Sequence, residues 1–158
     1  MRIIFYSALV AFLIDQISKV AILFALDLPT LGHYDVFPPL LRFHMAWNYG
    51  INLGLFSEHG AAARWVLIGL SVVISVAIVI WALRSKLTTY GFLSCGLLVG
   101  GALGNALDRV IYGAVVDFLN MSCCGINNPY AFNLADVLIF AGAIGLAIFP
   151  TDAKDGVT

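Results

Sequence analysis

Apolar residues in this chain fall into four long blocks separated by polar stretches. Residues 3–14 carry no charge, and the apolar pattern resumes past Asp15 and Lys19 to about residue 26. Residues 65–83 and 87–107 are uncharged throughout, and 137–150 form the last block. A helix needs roughly 20 residues to cross a hydrocarbon core of about 30 Å. The pattern therefore predicts transmembrane helices over approximately 3–26, 65–83, 87–109 and 133–150. The first block, with Arg2 ahead of it, has the outline of a signal peptide. Its internal charged pair and the lack of a small-residue cleavage site point instead to a retained helix. Trp65 and Trp81 bracket the second helix about 24 Å apart, the spacing of an interfacial aromatic belt.

The stretch 27–63 mixes Pro29, Pro38 and Pro39 with short aromatic pieces, such as residues 40–45. It is too long for a turn, and its composition predicts short strands. Residues 110–132 form a second connection on the same side. The third helix carries Gly96, Gly100 and Gly104 at every fourth position, with Gly101 beside them. Small residues at that spacing let helix backbones approach closely in a bilayer. The expected fold is an all-α integral membrane protein, a single domain over 1–158. It has four transmembrane helices and a small extracytoplasmic β-like cradle.

Composition narrows the function. The chain is 61% hydrophobic and only 11% charged, against about 25% charged in ordinary soluble domains. This excludes intrinsic disorder and argues against a water-facing soluble enzyme. A net charge of −1 provides no basic field for nucleic acid. Arg2, Arg84, Lys86 and Lys154 would share one side of the membrane, with Arg42, Arg64 and Arg109 on the other. The positive-inside rule then places both termini in the cytoplasm. The odd cysteine count, three, makes no disulfide framework. Adjacent Cys123 and Cys124 rarely reach disulfide geometry without strain, and their redox state stays open. His33, His44 and His59 are scattered through one polar stretch and read as interfacial or solvated, not as zinc ligands. No metal or cofactor is expected.

The topology sorts the polar residues by depth. Asp15 lies about 20 Å along the first helix from Arg2, with Lys19 one turn further on the same face. The third helix ends at Asn105, Asp108 and Arg109. The fourth begins with Asn133 and Asp136, and Asp117 lies in the connection between them. All reach one level near the outer interface. Ionisable residues in membrane segments are costly unless paired, and by default mark function. A structural network of Asp15 with Lys19 and Asp108 with Arg109 accounts for four of these charges. It leaves Asp117 and Asp136 unexplained. Two close aspartates share a proton, so one can serve as base and the other as acid on a single water. That is aspartic peptidase chemistry. Two alternatives stay open. A proton or ion transporter would use Asp15, Lys19 and Asp136 as a relay, although such a relay should cross the bilayer. A non-catalytic membrane scaffold is the other.

The same residues carry a family resemblance. Asp15-Gln16-Ile17-Ser18-Lys19, Asn48-Tyr49-Gly50, the run from Gly100 to Arg109, Val116-Asp117-Phe118 and Phe132-Asn133-Leu134-Ala135-Asp136 resemble, in order and spacing, the motifs of lipoprotein signal peptidases. These are the signal peptidase II intramembrane aspartic proteases of bacteria. The resemblance implies that Asp117 and Asp136 are the catalytic dyad. It implies that Asn48, Gly50, Gly101, Gly104, Asn105, Arg109, Asn133 and Ala135 shape the substrate cleft, supported by Asp15 and Lys19. It further implies cleavage of prolipoproteins before a diacylglyceryl-modified cysteine, contact with membrane lipids and inhibition by globomycin. The implied location is the bacterial cytoplasmic (inner) membrane, with the site near the extracytoplasmic face. One motif departs from the family's pattern. Asn52 stands where alanine is usual and Leu53 where phenylalanine is usual. Asp136 near a helix N-terminus should favour its anion, which makes Asp117 the expected holder of the shared proton.

Overall fold

A computed structural model describes residues 1–50, 60–123, 125 and 128–149. Helix α1 (Arg2–Val20) runs on through a π-helical turn, Ala21–Ala25, closed by the Leu26 N–H on the Ala21 carbonyl. A short helix α2 (Leu28–Leu31) leads into strands β1 (His33–Phe37) and β2 (Leu41–Asn48). Then come α3 (Gly60–Arg84), α4 (Thr89–Tyr112), β3 (Val115–Met121) and α5 (Leu134–Ile148). Arg2–Ala25, Ala62–Arg84 and Thr89–Tyr112 are long and apolar enough to cross a membrane, and Leu134–Ile148 is a shorter apolar helix. At about 22 Å, α5 falls short of the span expected over 133–150.

Helix α4 is the axis of the bundle, with α1, α3 and α5 packed around it. Its start is fixed locally: the Thr88 hydroxyl accepts the Gly91 N–H at 3.0 Å, a side-chain cap. Its glycines divide between two neighbours. Gly96, Gly100 and Gly104 face α1, while Gly101 meets the backbone of α5. A Cβ on Gly101 would stand 2.6 Å from the Ala135 carbonyl oxygen. The outer faces stay apolar and bare: Phe5, Ile17, Val73 and Phe140 are each more than 60% exposed. A large exposed apolar surface marks contact with a nonaqueous partner, here a lipid bilayer.

The strands form one antiparallel sheet in the order β1-β2-β3. Strands were expected in 27–63 but not in 110–132, where β3 supplies the third. The sheet rests on the end of α1: Ile22, Leu23, Leu28, Val116 and Phe118 make one buried cluster. Phe43 packs edge-on against Phe118, with ring centroids 5.7 Å apart. β2 pairs Phe43 with Leu119 but Ala46 with Asp117, so a bulge intervenes beside Asp117. Bulges turn a strand and re-aim its side chains. A second cluster, Ile4, Ala82, Leu87 and Cys95, closes the opposite end of the bundle. Cys123 is disulfide-bonded. Cys124, Asn52 and Leu53 lie outside the described residues.

Candidate active site

Two groups of aspartates meet where the helices reach the sheet. The first is built around Lys19, which is 1% exposed. Its Nζ lies 2.8 Å from Asp15 Oδ2 and 2.7 Å from Asp108 Oδ2. It also donates to Asn105 Oδ1 at 3.0 Å. Asp15 Oδ1 accepts the Ala135 N–H at 2.9 Å, and Asp108 Oδ2 accepts the Val116 N–H at 3.1 Å. Gln16 donates to both carboxylates, at 3.1 and 3.0 Å. Each carboxylate thus ties α1 to a different element, Asp15 to α5 and Asp108 to β3. Gly104 makes this possible, because a Cβ there would lie 2.5 Å from Asp15 Oδ2.

The expected Asp108–Arg109 pair does not form. Successive helical residues point about 100° apart, so Asp108 turns to Lys19 while Arg109 faces the other way. The Arg109 Nη1 donates to the Asn105 carbonyl at 3.2 Å, and its Nε is buried without a hydrogen-bond partner. Arg109 also lines an apolar cavity of about 250 Å³ between α3, α4 and α5.

The second group contains Asp117 and Asp136, held by amides. Asp117 sits on β3, 3% exposed. Its Oδ2 accepts Asn48 Nδ2 at 3.0 Å and its Oδ1 accepts Asn133 Nδ2 at 2.6 Å. Asn48 is oriented in turn by Gly50, whose N–H donates to Asn48 Oδ1 at 2.9 Å. Gly50 has φ of +106°, a conformation that favours glycine. Asp136 belongs to a capping box at the start of α5. Its N–H donates to Asn133 Oδ1 at 3.0 Å, and its Oδ2 accepts the Asn133 N–H at 3.2 Å. Asp136 Oδ1 accepts Asn105 Nδ2 at 2.9 Å. Asn133 Nδ2 also donates to Asn105 Oδ1 at 3.1 Å.

These bonds leave little freedom in the amides. Lys19 and Asn133 both donate to Asn105 Oδ1, so the Asn105 NH₂ must face Asp136. Electrostatics separates the two groups. Burial pushes the Asp117 carboxyl up to about 6, and the nearby Asp136 charge adds to it. The Asn48 and Asn133 hydrogen bonds and the Lys19 charge act the other way.

Asp15, Lys19, Asn48, Asn105, Asn133, Asp117 and Asp136 are therefore one connected network. Arg109 joins it through the Asn105 backbone. Gly50, Gly101, Gly104 and Ala135 act through the backbone: Gly50 aims an amide, Gly101 and Gly104 admit neighbours, and Ala135 anchors Asp15. Sequence reasoning paired Asp108 with Arg109 and gave Gln16 no role of its own. A signal was present, since Asp108 lies one turn beyond Gly104 on the same face of α4.

Comparison with known proteins gives a consistent result. Residues 7–150 match the family described as signal peptidase (SPase) II. The chain is 40% identical over 144 residues to a lipoprotein signal peptidase of Methylobacterium sp. (strain 4-46), covering 90% of this chain and 84% of the relative. It is 41% identical over 145 residues to one from Rhodopseudomonas palustris, covering 89% and 86%. A solved structure described as a bacterial membrane enzyme, determined by the in meso method, superposes with a TM-score of 0.79. That match has 26% identity and covers 97% of this chain and 94% of the other.

Proposed function

The chain belongs to the signal peptidase II family of aspartic-type peptidases, and from that premise we propose that Asp117 and Asp136 are the catalytic pair that removes signal peptides from prolipoproteins. The observation that carries this reading is the way the two carboxylates are held. Amides alone contact them, no cation forms an ion pair with either among the described residues, and Asp117 titrates near 6. A carboxylate pair without a counter-ion keeps an exchangeable proton.

In the proposed reaction Asp136 is the ionised partner, favoured by its place at the N-terminus of α5. It takes a proton from water as the oxygen attacks the scissile carbonyl. Asp117 gives its proton to the carbonyl oxygen. Collapse of the tetrahedral intermediate breaks the C–N bond: the leaving amine takes up the proton that Asp136 holds, and one hydroxyl of the intermediate returns its proton to Asp117 as the carboxyl group forms. The products are a signal peptide with a new carboxylate and a protein with a free amino terminus. Asn48, Asn105 and Asn133 hold the two carboxylates in register. Arg109, with its unpartnered Nε, is the group offered to the substrate.

The scissile bond is proposed to precede a diacylglyceryl-modified cysteine. Support comes from the apolar cavity beside Arg109, which suits an acyl chain, and from the bare apolar helix faces. The proposed location is the bacterial inner membrane, with the sheet on the extracytoplasmic side and both termini cytoplasmic. Helix α5 is the proposed fourth span: it packs along α4 and exposes Phe140, Ile144 and Ile148. Globomycin is the proposed inhibitor of this cleft. The test is cleavage of a synthetic diacylglyceryl-cysteine signal peptide by purified protein in lipid micelles. Cleavage before the lipidated cysteine, lost in Asp117→Asn and blocked by globomycin, is expected. Equal cleavage of the unmodified peptide would overturn the requirement for the lipid, and full activity in Asp117→Asn would overturn the dyad.

A further inference from the structure

We propose that His33 and His44 form a site for a single Zn²⁺-class cation on the exposed face of the sheet. The two residues are directly opposite each other in the antiparallel β1–β2 pair. Their rung can be identified. The Met45 N–H donates to the Gly32 carbonyl at 3.0 Å, so Gly32 and Met45 occupy a hydrogen-bonded rung. Rungs alternate along an antiparallel ladder, and His33–His44 therefore falls on a non-bonded one, where side chains stand closest. Cβ atoms of such a pair are about 4.5–5.5 Å apart on the same face. Two imidazole nitrogens on a tetrahedral zinc stand about 3.3 Å apart at ordinary Zn–N lengths. Rotation about the side-chain bonds spans that difference.

Both histidines are exposed, while flanking Phe43 and Met45 turn inward to the core below the sheet. The charged neighbours on the same face are Asp35 and Arg42, which pair with each other across the strands at 2.5 Å. Their charges offset, and the Asp35 carboxylate is engaged by Arg42. No group of three or more His, Cys, Asp or Glu suited to a metal occurs among the described residues. The site is therefore two imidazoles completed by water, suited to the borderline cations that imidazole prefers. A bound ion would cross-link β1 to β2, whose last residue, Asn48, holds Asp117. Its effect is to stabilise the hairpin and takes no part in the hydrolytic chemistry.

The experiment uses the full-length chain without a histidine tag, in detergent micelles at neutral pH. Zinc chloride is titrated by calorimetry, and the thermal midpoint is measured with and without it. One ion per chain is expected, with a zinc-dependent rise in midpoint. His33→Ala and His44→Ala should each weaken binding at least tenfold and abolish the rise, while metal-free cleavage stays at the wild-type rate. Acidification should weaken binding, because only neutral imidazole ligates. Unchanged binding in the double variant, absence of a saturable heat, or loss through His59→Ala instead would each overturn the site.

Discussion

Three buried aspartates and the half-buried Asp136 fall into two pairs that differ in what compensates them. Asp15 and Asp108 share one lysine, with Nζ within 2.8 Å of both. Asp117 and Asp136 are linked to that cluster through Asn105 and Asn133, yet among the described residues only asparagine amides and a backbone N–H donate to them. The first pair is compensated by Lys19 and receives further donors, and its role is to join α1, α4, β3 and α5. The second pair is held by amide dipoles and makes no ion pair among the described residues, which fixes its geometry. Asn105 and Lys19 connect the two, so the compensated group orients the reactive one. The same residue type becomes mortar or reagent according to whether a cation accompanies it.

The largest expected contrast is in activity. Asp117→Asn or Asp136→Asn should lower kcat/KM by roughly 10³–10⁴-fold or more, with the fold retained. At Asp117 the sign of the stability change is specific. Its folded pKa is raised, so it favours the fold below the ordinary value of 3.8 and loses that contribution as pH rises through about 6. The loss amounts to about 3 kcal/mol at most. An asparagine there removes the charge but sets one NH₂ against a neighbouring NH₂, which costs about 1 kcal/mol. The thermal midpoint of Asp117→Asn at pH 8 should therefore be no lower than wild type. A collapse in midpoint would put this aspartate in the same class as Asp15.

Lys19→Met tests the other side. It strands two buried carboxylates and should destabilise the protein by about 3–5 kcal/mol, read as a fall in thermal midpoint in micelles. A stable, inactive Lys19→Met would move the lysine from the scaffold to the chemistry. Asn105→Ala addresses the link between them. It removes a hydrogen bond to the Asp136 carboxylate and an acceptor for Lys19. Loss of one charge-assisted bond of about 1.5–3 kcal/mol predicts a roughly 10–100-fold fall in kcat/KM, greater than any change in stability. The smallest effect is on pH. With Asp117 as the acid, kcat/KM should decline above about pH 6, approaching tenfold per unit. A profile flat to pH 8 would assign the proton elsewhere.

Much of this was legible in the chain because its causes are local. The helix of residues 65–83 is apolar throughout, and the structure extends it to Gly60–Arg84. Asn133 and Asp136, three residues apart, form the capping box that starts α5. Asp15 and Lys19 are paired by helical spacing alone. Sequence proximity favours Arg109 as the partner of Asp108. Helical rotation and the close packing allowed by Gly104 bring Lys19 there instead. Strand β3 is buried on both faces, so it lacks the alternation that marks a half-exposed strand in sequence.

The sequence by itself determined the apolar helices, their caps, the small-residue faces and the set of polar residues gathered near one end of the bundle. Each follows from hydropathy or from contacts within a few residues. Only the tertiary structure decided which aspartates share Lys19, which amides hold Asp117, and that His33 stands opposite His44. Those pairings join positions remote in sequence. They depend on strand register and on how closely helices approach, and both are set by packing across the whole molecule.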